Sequence, residues 1–132
     1  MNIPPIERDE TSAPFFEAAA RQVLMLRYAA DGKWFSPETE IDPVEPGRAL
    51  EWRPSAGRGI LVSWTVMWGR VDNTGQLPPL ISIGGLVELD EGPWILGRIV
   101  DVDPSILSAG APLRVVFPPA RSGDVVPAFT LA

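Results

Sequence analysis

Serine, lysine and carboxylates are the residues from which chemistry could be built here, because the 132-residue chain has neither histidine nor cysteine. Nucleophilic catalysis needs a base beside the nucleophile, so Ser-His-acid and Cys-His arrangements are excluded. A serine activated by lysine is the form that remains. Lys33 is the only lysine, and Ser36 is its nearest serine. No motif accompanies the pair, and an ordinary hairpin accounts for both residues. Glu38, Glu40, Asp42 and Glu45 fall in one stretch. Paired catalytic carboxylates must face each other across a rigid cleft, and a calcium loop needs regular ligand spacing around a central glycine. A proline-broken acidic segment offers neither, so these carboxylates read as a solvated loop. Gly57-Arg58-Gly59 lacks the following helix and Walker lysine of a phosphate cradle, and reads as a turn or bulge entering a strand.

These residues must be positioned by short elements. Fifteen prolines and twelve glycines favour many brief strands divided by turns, in a chain long enough for one domain. Ser12 and Pro14 suit a helix start, and Phe15 to Arg21 holds good helix formers, which predicts a helix from Ala13 to Gln22. Residues 1–11 read as an extended, disordered arm. Asp31-Gly32 marks a hairpin turn between Val23–Tyr28 and a return strand at Lys33–Ser36. Pro37 to Arg48 is a connector. Beyond it come candidate strands at Leu50–Arg53, Ile60–Trp68, Leu80–Leu89, Trp94–Val102, Leu113–Phe117 and Val125–Leu131, enough for a five- or six-stranded barrel. Ile60, Val62, Trp64, Val66 and Trp68 alternate with Ser63 and Thr65, placing the first set on the packed face. Asp90-Glu91-Gly92 is a second hairpin turn, and Asp103-Pro104 starts a short helical turn.

Seventeen acidic against eleven basic residues leave a net charge of −6, which opposes binding to a phosphate backbone. The five tryptophans lie largely among aliphatic residues and have few basic neighbours, Lys33, Arg53 and Arg70, a pattern of core or protein interface. The N-terminus lacks the apolar run of a signal peptide and no stretch approaches a membrane span, so a cytoplasmic protein is expected. Phe15 and Phe16 lie on a helix too short to be stable alone, and so pack on the barrel or anchor a partner.

In order and spacing, Ala13-Pro14-Phe15-Phe16-Glu17-Ala18, Leu26-Arg27-Tyr28, Asp31-Gly32, Pro37, Leu50-Glu51-Trp52, Ser55-Ala56-Gly57-Arg58-Gly59, Ser63-Trp64-Thr65-Val66, Val87 to Gly92 and Leu113 to Phe117 resemble one family. It couples a helix and a rubredoxin-like zinc ribbon to a C-terminal OB-fold, and was catalogued as domain of unknown function thirty-five. The resemblance implies a mainly β protein, with an OB-fold-like barrel over residues 49–132 and an arm, short helix and degenerate ribbon hairpin over 1–48. It also implies an accessory role: binding a thiolase-like protein and helping to form its acyl-CoA channel, with Phe15, Phe16 and Trp52 on the partner surface. A stand-alone acyl-CoA or lipid-like ligand binder and a nucleic-acid-binding OB module are the alternatives, and a homodimer is the default for the chain purified alone. The ribbon's four cysteines fall on Tyr28, Asp31, Asp42 and Glu45. A tyrosine and three carboxylates do not make a thiolate-type zinc site. The ribbon segment then has to be held by packing of Trp34, Phe35 and Leu26, or be partly disordered.

Two outcomes are expected. Elemental analysis of protein purified without added metal finds no stoichiometric zinc, and about one zinc per chain surviving chelator dialysis would contradict this. Fluorescence anisotropy with mixed single-stranded oligonucleotides at about 150 mM salt gives no dissociation constant below about 1 μM.

Overall fold

Pro14, with its fixed φ and missing N–H, lies in the first turn of helix α1 (Ala13–Ala20), the start expected from the sequence. The computed structural model describes residues 10–70, 79–120 and 122–132, so most of the arm read at residues 1–11 lies outside the described residues. The helix ends before Gln22 because Gln22 takes a left-handed φ of 63°. The N–H groups of Gln22 and Val23 close on the carbonyls of Ala19 and Ala18, a Schellman arrangement that satisfies the last turn without a glycine. Phe16, Ala18 and Ala19 are its buried face.

The expected hairpin follows as β1 (Met25–Tyr28) and β2 (Trp34–Phe35), turning through Gly32 at φ 91°. β3 (Glu51–Pro54) pairs antiparallel with the other edge of β1, with Arg27 opposite Trp52 and Tyr28 opposite Glu51. This is a correction: the strand expected at Leu50–Arg53 as part of the barrel instead completes a three-stranded sheet, in the order β2-β1-β3. Its side of the chain therefore extends past residue 48.

The connector is solvated at Glu38, Glu40 and Glu45, as its acidity suggested, but not at Asp42. Asp42 is fully buried. One carboxylate oxygen accepts the backbone N–H groups of Val44 and Glu45 at 2.9 and 3.1 Å, and the other accepts Arg48 Nε. Arg48 Nη1 also reaches Asp31 at 3.0 Å and Glu45 at 3.3 Å. Three of the four residues expected at ribbon-cysteine positions thus converge on one guanidinium, which ties the connector to the hairpin turn. The fourth, Tyr28, meets Trp34 edge-on at 5.0 Å and lies under the Arg53 guanidinium at 3.9 Å. Leu26 is fully buried and Trp34 packs on the core, so the expected apolar support is present beside an ionic one.

Residues 55–57 carry the chain from this sheet into the barrel. Gly57 turns at φ 72°, and a Cβ there would lie 2.4 Å from the Val115 side chain. The barrel is closed by β4 (Arg58–Trp68), β5 (Leu80–Leu89), β6 (Trp94–Ile99), β8 (Ala128–Leu131) and β7 (Pro112–Val116), in that order around the wall. All pairs are antiparallel except β6 with β8. That connectivity is an OB-fold. A 3₁₀ turn at Pro104–Ile106, capped by the Asp103 carboxylate on the Ser105 N–H, precedes β7. Phe129, Leu61, Leu113, Val87, Leu89 and Ile99 fill the interior, and Leu24 and Leu26 of the N-terminal segment join the same core. Gly97 lets the Phe129 ring approach, since a Cβ there would stand 2.9 Å from it.

One register expectation fails. In β4 the register shifts between Leu61 and Ser63, so a bulge at Val62 changes the inward parity. Leu61 is fully buried, Ile60 points outward at 40 % exposure, and only beyond the bulge do Trp64 and Val66 face the packed side.

Burial pushes the Asp42 carboxyl upward, but Arg48 and the two backbone N–H groups outweigh it and hold its pKa below the ordinary value. Asp31 is likewise opposed by burial and lowered by the Lys33 N–H and by Arg48. Carboxylates with depressed folded pKa values stabilise the fold above their unfolded values, and that stability is lost as pH falls through the folded ones. Arg48→Met is therefore expected to lower Tm by about 5 °C or more at neutral pH. The gap between wild type and variant holds from about pH 6 to 8 and narrows below the ordinary aspartate value of about 3.9. Melting curves followed by circular dichroism across pH check both the size and the sign.

Candidate functional site

The chemistry considered at Lys33 and Ser36 has no shared site. Lys33 Nζ lies 3.9 Å from Asp31, whereas Ser36 Oγ bonds Thr39 Oγ1 at 3.1 Å. Among the described residues no three acidic, histidine or cysteine side chains gather as metal ligands. Gly57-Arg58-Gly59 is the turn into β4 and not a phosphate cradle: the carbonyls of Gly57 and Arg58 accept the N–H groups of Val115 and Asp90.

Phe15, Phe16 and Trp52, by contrast, are brought together. α1 sets the two phenylalanine rings edge to face at 5.2 Å, and Phe15 meets the Trp52 ring at 6.4 Å. Phe16 is 8 % exposed and belongs to the core, which limits it to supporting Phe15 from beneath. Beyond Trp52 the row continues in a residue the sequence reading passed over: the Arg27 guanidinium lies 3.7 Å from the centre of the Trp52 ring. The signal was available in the β1 to β3 register, which sets Arg27 directly opposite Trp52, but that register needs β3 to leave the barrel.

Beside this row, α1 and the connector stand over the barrel and leave a cleft of about 180 Å³. Phe15, Phe16 and Leu24 form one wall, Ile95, Leu96 and Phe129 the other, with Pro37 and Glu38 at the connector side. Such a volume is below the roughly 300–1,000 Å³ of small-molecule pockets. The apolar character spreads outward from the cleft. Leu96 is 81 % exposed and Trp94 54 %, both on the outer face of β6. Across β5 this face continues to Ile60 of β4, since Trp94 and Ile60 both lie opposite Glu88. A second exposed apolar group, Met67, Trp68, Leu80 and Ile81, occupies the far end of the β4–β5 hairpin. An exposed apolar surface of this extent is equipped for contact with another molecule.

The junction keeps the two halves of this surface in register. The Glu91 carboxylate, on the β5–β6 turn, accepts Ser55 Oγ and the Ala56 N–H, both at 2.8 Å, and Ser55 Oγ in turn accepts the Gly57 N–H.

Comparison with known proteins agrees with this architecture. A chain of the solved Ltp2-ChsH2(DUF35) aldolase superposes with a TM-score of 0.76 at 25 % identity, over 98 % of each chain. A DUF35 domain-containing scaffold protein of Pyrococcus furiosus is 27 % identical over 94 residues, 71 % of this chain and 68 % of that protein. A DUF35 protein of unknown function from Sulfolobus solfataricus shares the fold, with a TM-score of 0.59 at 12 % identity over 94 % of this chain and 85 % of its own. The family described as ChsH2, C-terminal OB-fold domain, matches residues 52–118, just over half of the chain and the whole stretch from β3 to β7. With residues 52–118 matched, through β7 and short of β8, this chain belongs to the DUF35 proteins, in the family of the ChsH2 C-terminal OB-fold domain.

Proposed function

We propose that this chain is a non-catalytic, cytoplasmic accessory subunit that docks on a thiolase-like protein and helps to form its acyl-CoA channel. The observation that carries the reading is the end-to-end likeness, over 98 % of both chains, to a component of an Ltp2-ChsH2(DUF35) aldolase. A scaffold protein among the relatives points the same way. The cleft of about 180 Å³ is too small to enclose a coenzyme A thioester unaided, so a passage at this place needs walls from a partner.

The docking surface in this reading is the row of Phe15 and Trp52 together with the exposed face of β6 at Trp94 and Leu96. Phe16 holds Phe15 in place and is not itself a contact. Interfaces of this kind bury at least about 1,000 Å², with aromatic residues near the desolvated centre.

Co-expression with a thiolase-like protein from the same genome is expected to give a complex stable through gel filtration. Leu96→Asp weakens that complex at least about tenfold and leaves Tm within about 2 °C of wild type, because an exposed position contributes little to folding. Phe16→Ala instead costs about 3 kcal/mol of folding stability, as large-to-small changes in a packed core do. Wild-type protein that never forms a complex would overturn the assignment, and a Leu96→Asp complex of unchanged affinity would move the surface elsewhere.

A further inference from the structure

Among the described residues no side chain pairs directly with the charge of Arg27. Its side chain is 8 % exposed, in the middle strand of the N-terminal sheet. One face of the guanidinium is covered by Trp52 at 3.7 Å, and Nε is buried with no hydrogen-bond partner. Among the described residues no carboxylate lies within ion-pair distance of it, and Glu40 acts on it only through space. The other arginines of this region are provided for: Arg48 has Asp31, Asp42 and Glu45, and Arg53 has Glu51. Arg48 Nη2 is also without a partner, but three carboxylates already balance its charge. A largely buried guanidinium whose Nε has no acceptor and whose counter-charge acts only from a distance is a costly arrangement for folding alone, and becomes favourable once an anion arrives from outside.

We propose that Arg27, stacked on Trp52, is the receptor for a carboxylate side chain of a partner protein, an aspartate or glutamate that enters beside Phe15 and accepts hydrogen bonds from the guanidinium. The inference rests on the accessory-subunit reading and names the contact at its centre. Arginine and tryptophan at a desolvated spot are the composition of an interface hot spot, and the planar guanidinium fork matches a carboxylate. A single charge is the size of anion the surroundings permit. The chain carries a net charge of −6 and Glu40 adds its field at Arg27, so a polyphosphate is repelled more strongly than one carboxylate.

The first test needs no partner. Sodium acetate is titrated into the full chain at constant ionic strength against chloride, and the Arg27 Nε–Hε signal is followed by NMR, with Arg27→Lys identifying it. A saturable shift with a midpoint of about 10–100 mM is expected, the weak range of a ligand with one anchoring group. The Arg53 signal, already paired with Glu51, stays still. No saturable Arg27 shift, or a shift produced by inorganic phosphate or coenzyme A at about tenfold lower concentration, would overturn the proposal.

The second test uses the complex with the co-expressed thiolase-like protein. Arg27→Met keeps the aliphatic stem over Trp52 and removes the charge, and it is expected to weaken the complex at least about thirtyfold. Arg27→Lys restores part of that loss, which a purely structural role would not produce. Wild type and Arg27→Met binding equally would refute the carboxylate contact and leave the accessory reading intact. Wild-type protein forming no complex while acetate still shifts Arg27 would refute the accessory reading and the proposed occupant with it.

Discussion

A single guanidinium organises the N-terminal third of this protein. The turn at Asp31 and the connector around Asp42 and Glu45 are short, proline-rich and far from the barrel's hydrogen-bonded ladders, and they meet at Arg48. Burying Asp42 alone would leave an uncompensated charge; with two backbone N–H groups and Arg48 around it, the carboxylate becomes a fixed point. The zinc ribbon of the resembled family closes its two turns with a metal. Here an ionic cluster joins the two turns, with its central cation supplied by the chain as a guanidinium and carboxylates as the surrounding anions.

Everything proposed for binding depends on that closure. β2 and β3 flank β1 in a sheet of only a few residues each, too small to be stable without cover. The connector covers it from one side, α1 from another, and Leu24 and Leu26 anchor it in the barrel core. Glu91 then fixes the sheet against the β5–β6 turn through Ser55 and Ala56. The aromatic row at Phe15 and Trp52 and the exposed face of β6 therefore belong to one surface, although they come from opposite ends of the sequence.

Much of this was legible in the residues. Pro14, Asp31-Gly32, Asp90-Glu91-Gly92 and Asp103-Pro104 each carry a local stereochemical reason for a start or a turn, and each stands where that reason puts it. Phe15, Phe16 and Trp52 do meet. What could not be read depends on contacts distant in sequence. The partner of β3 is set by a strand some 25 residues earlier, across a loop whose length discloses nothing about pairing. The bulge at Val62 leaves no mark, because Val62 and Ser63 fit either phase of an alternating strand. Asp42 looked solvated because its neighbours Glu38, Glu40 and Glu45 are, and only the return of Arg48 reverses its environment. Arg27 was invisible for the same reason, since isolation from carboxylates is a property of three-dimensional surroundings.

Closure of this segment by an ionic cluster bears on redox chemistry and metal supply. A zinc–thiolate centre is exposed to peroxide, which takes a cysteine up the ladder from sulfenate to sulfonate, and to any chelator that competes for the ion. Asp31, Asp42, Glu45 and Arg48 have no accessible oxidation state and release nothing to a chelator. The ionic closure itself therefore offers neither a thiolate to an oxidant nor a metal to a chelator, the two points at which a thiolate-ligated ribbon comes apart.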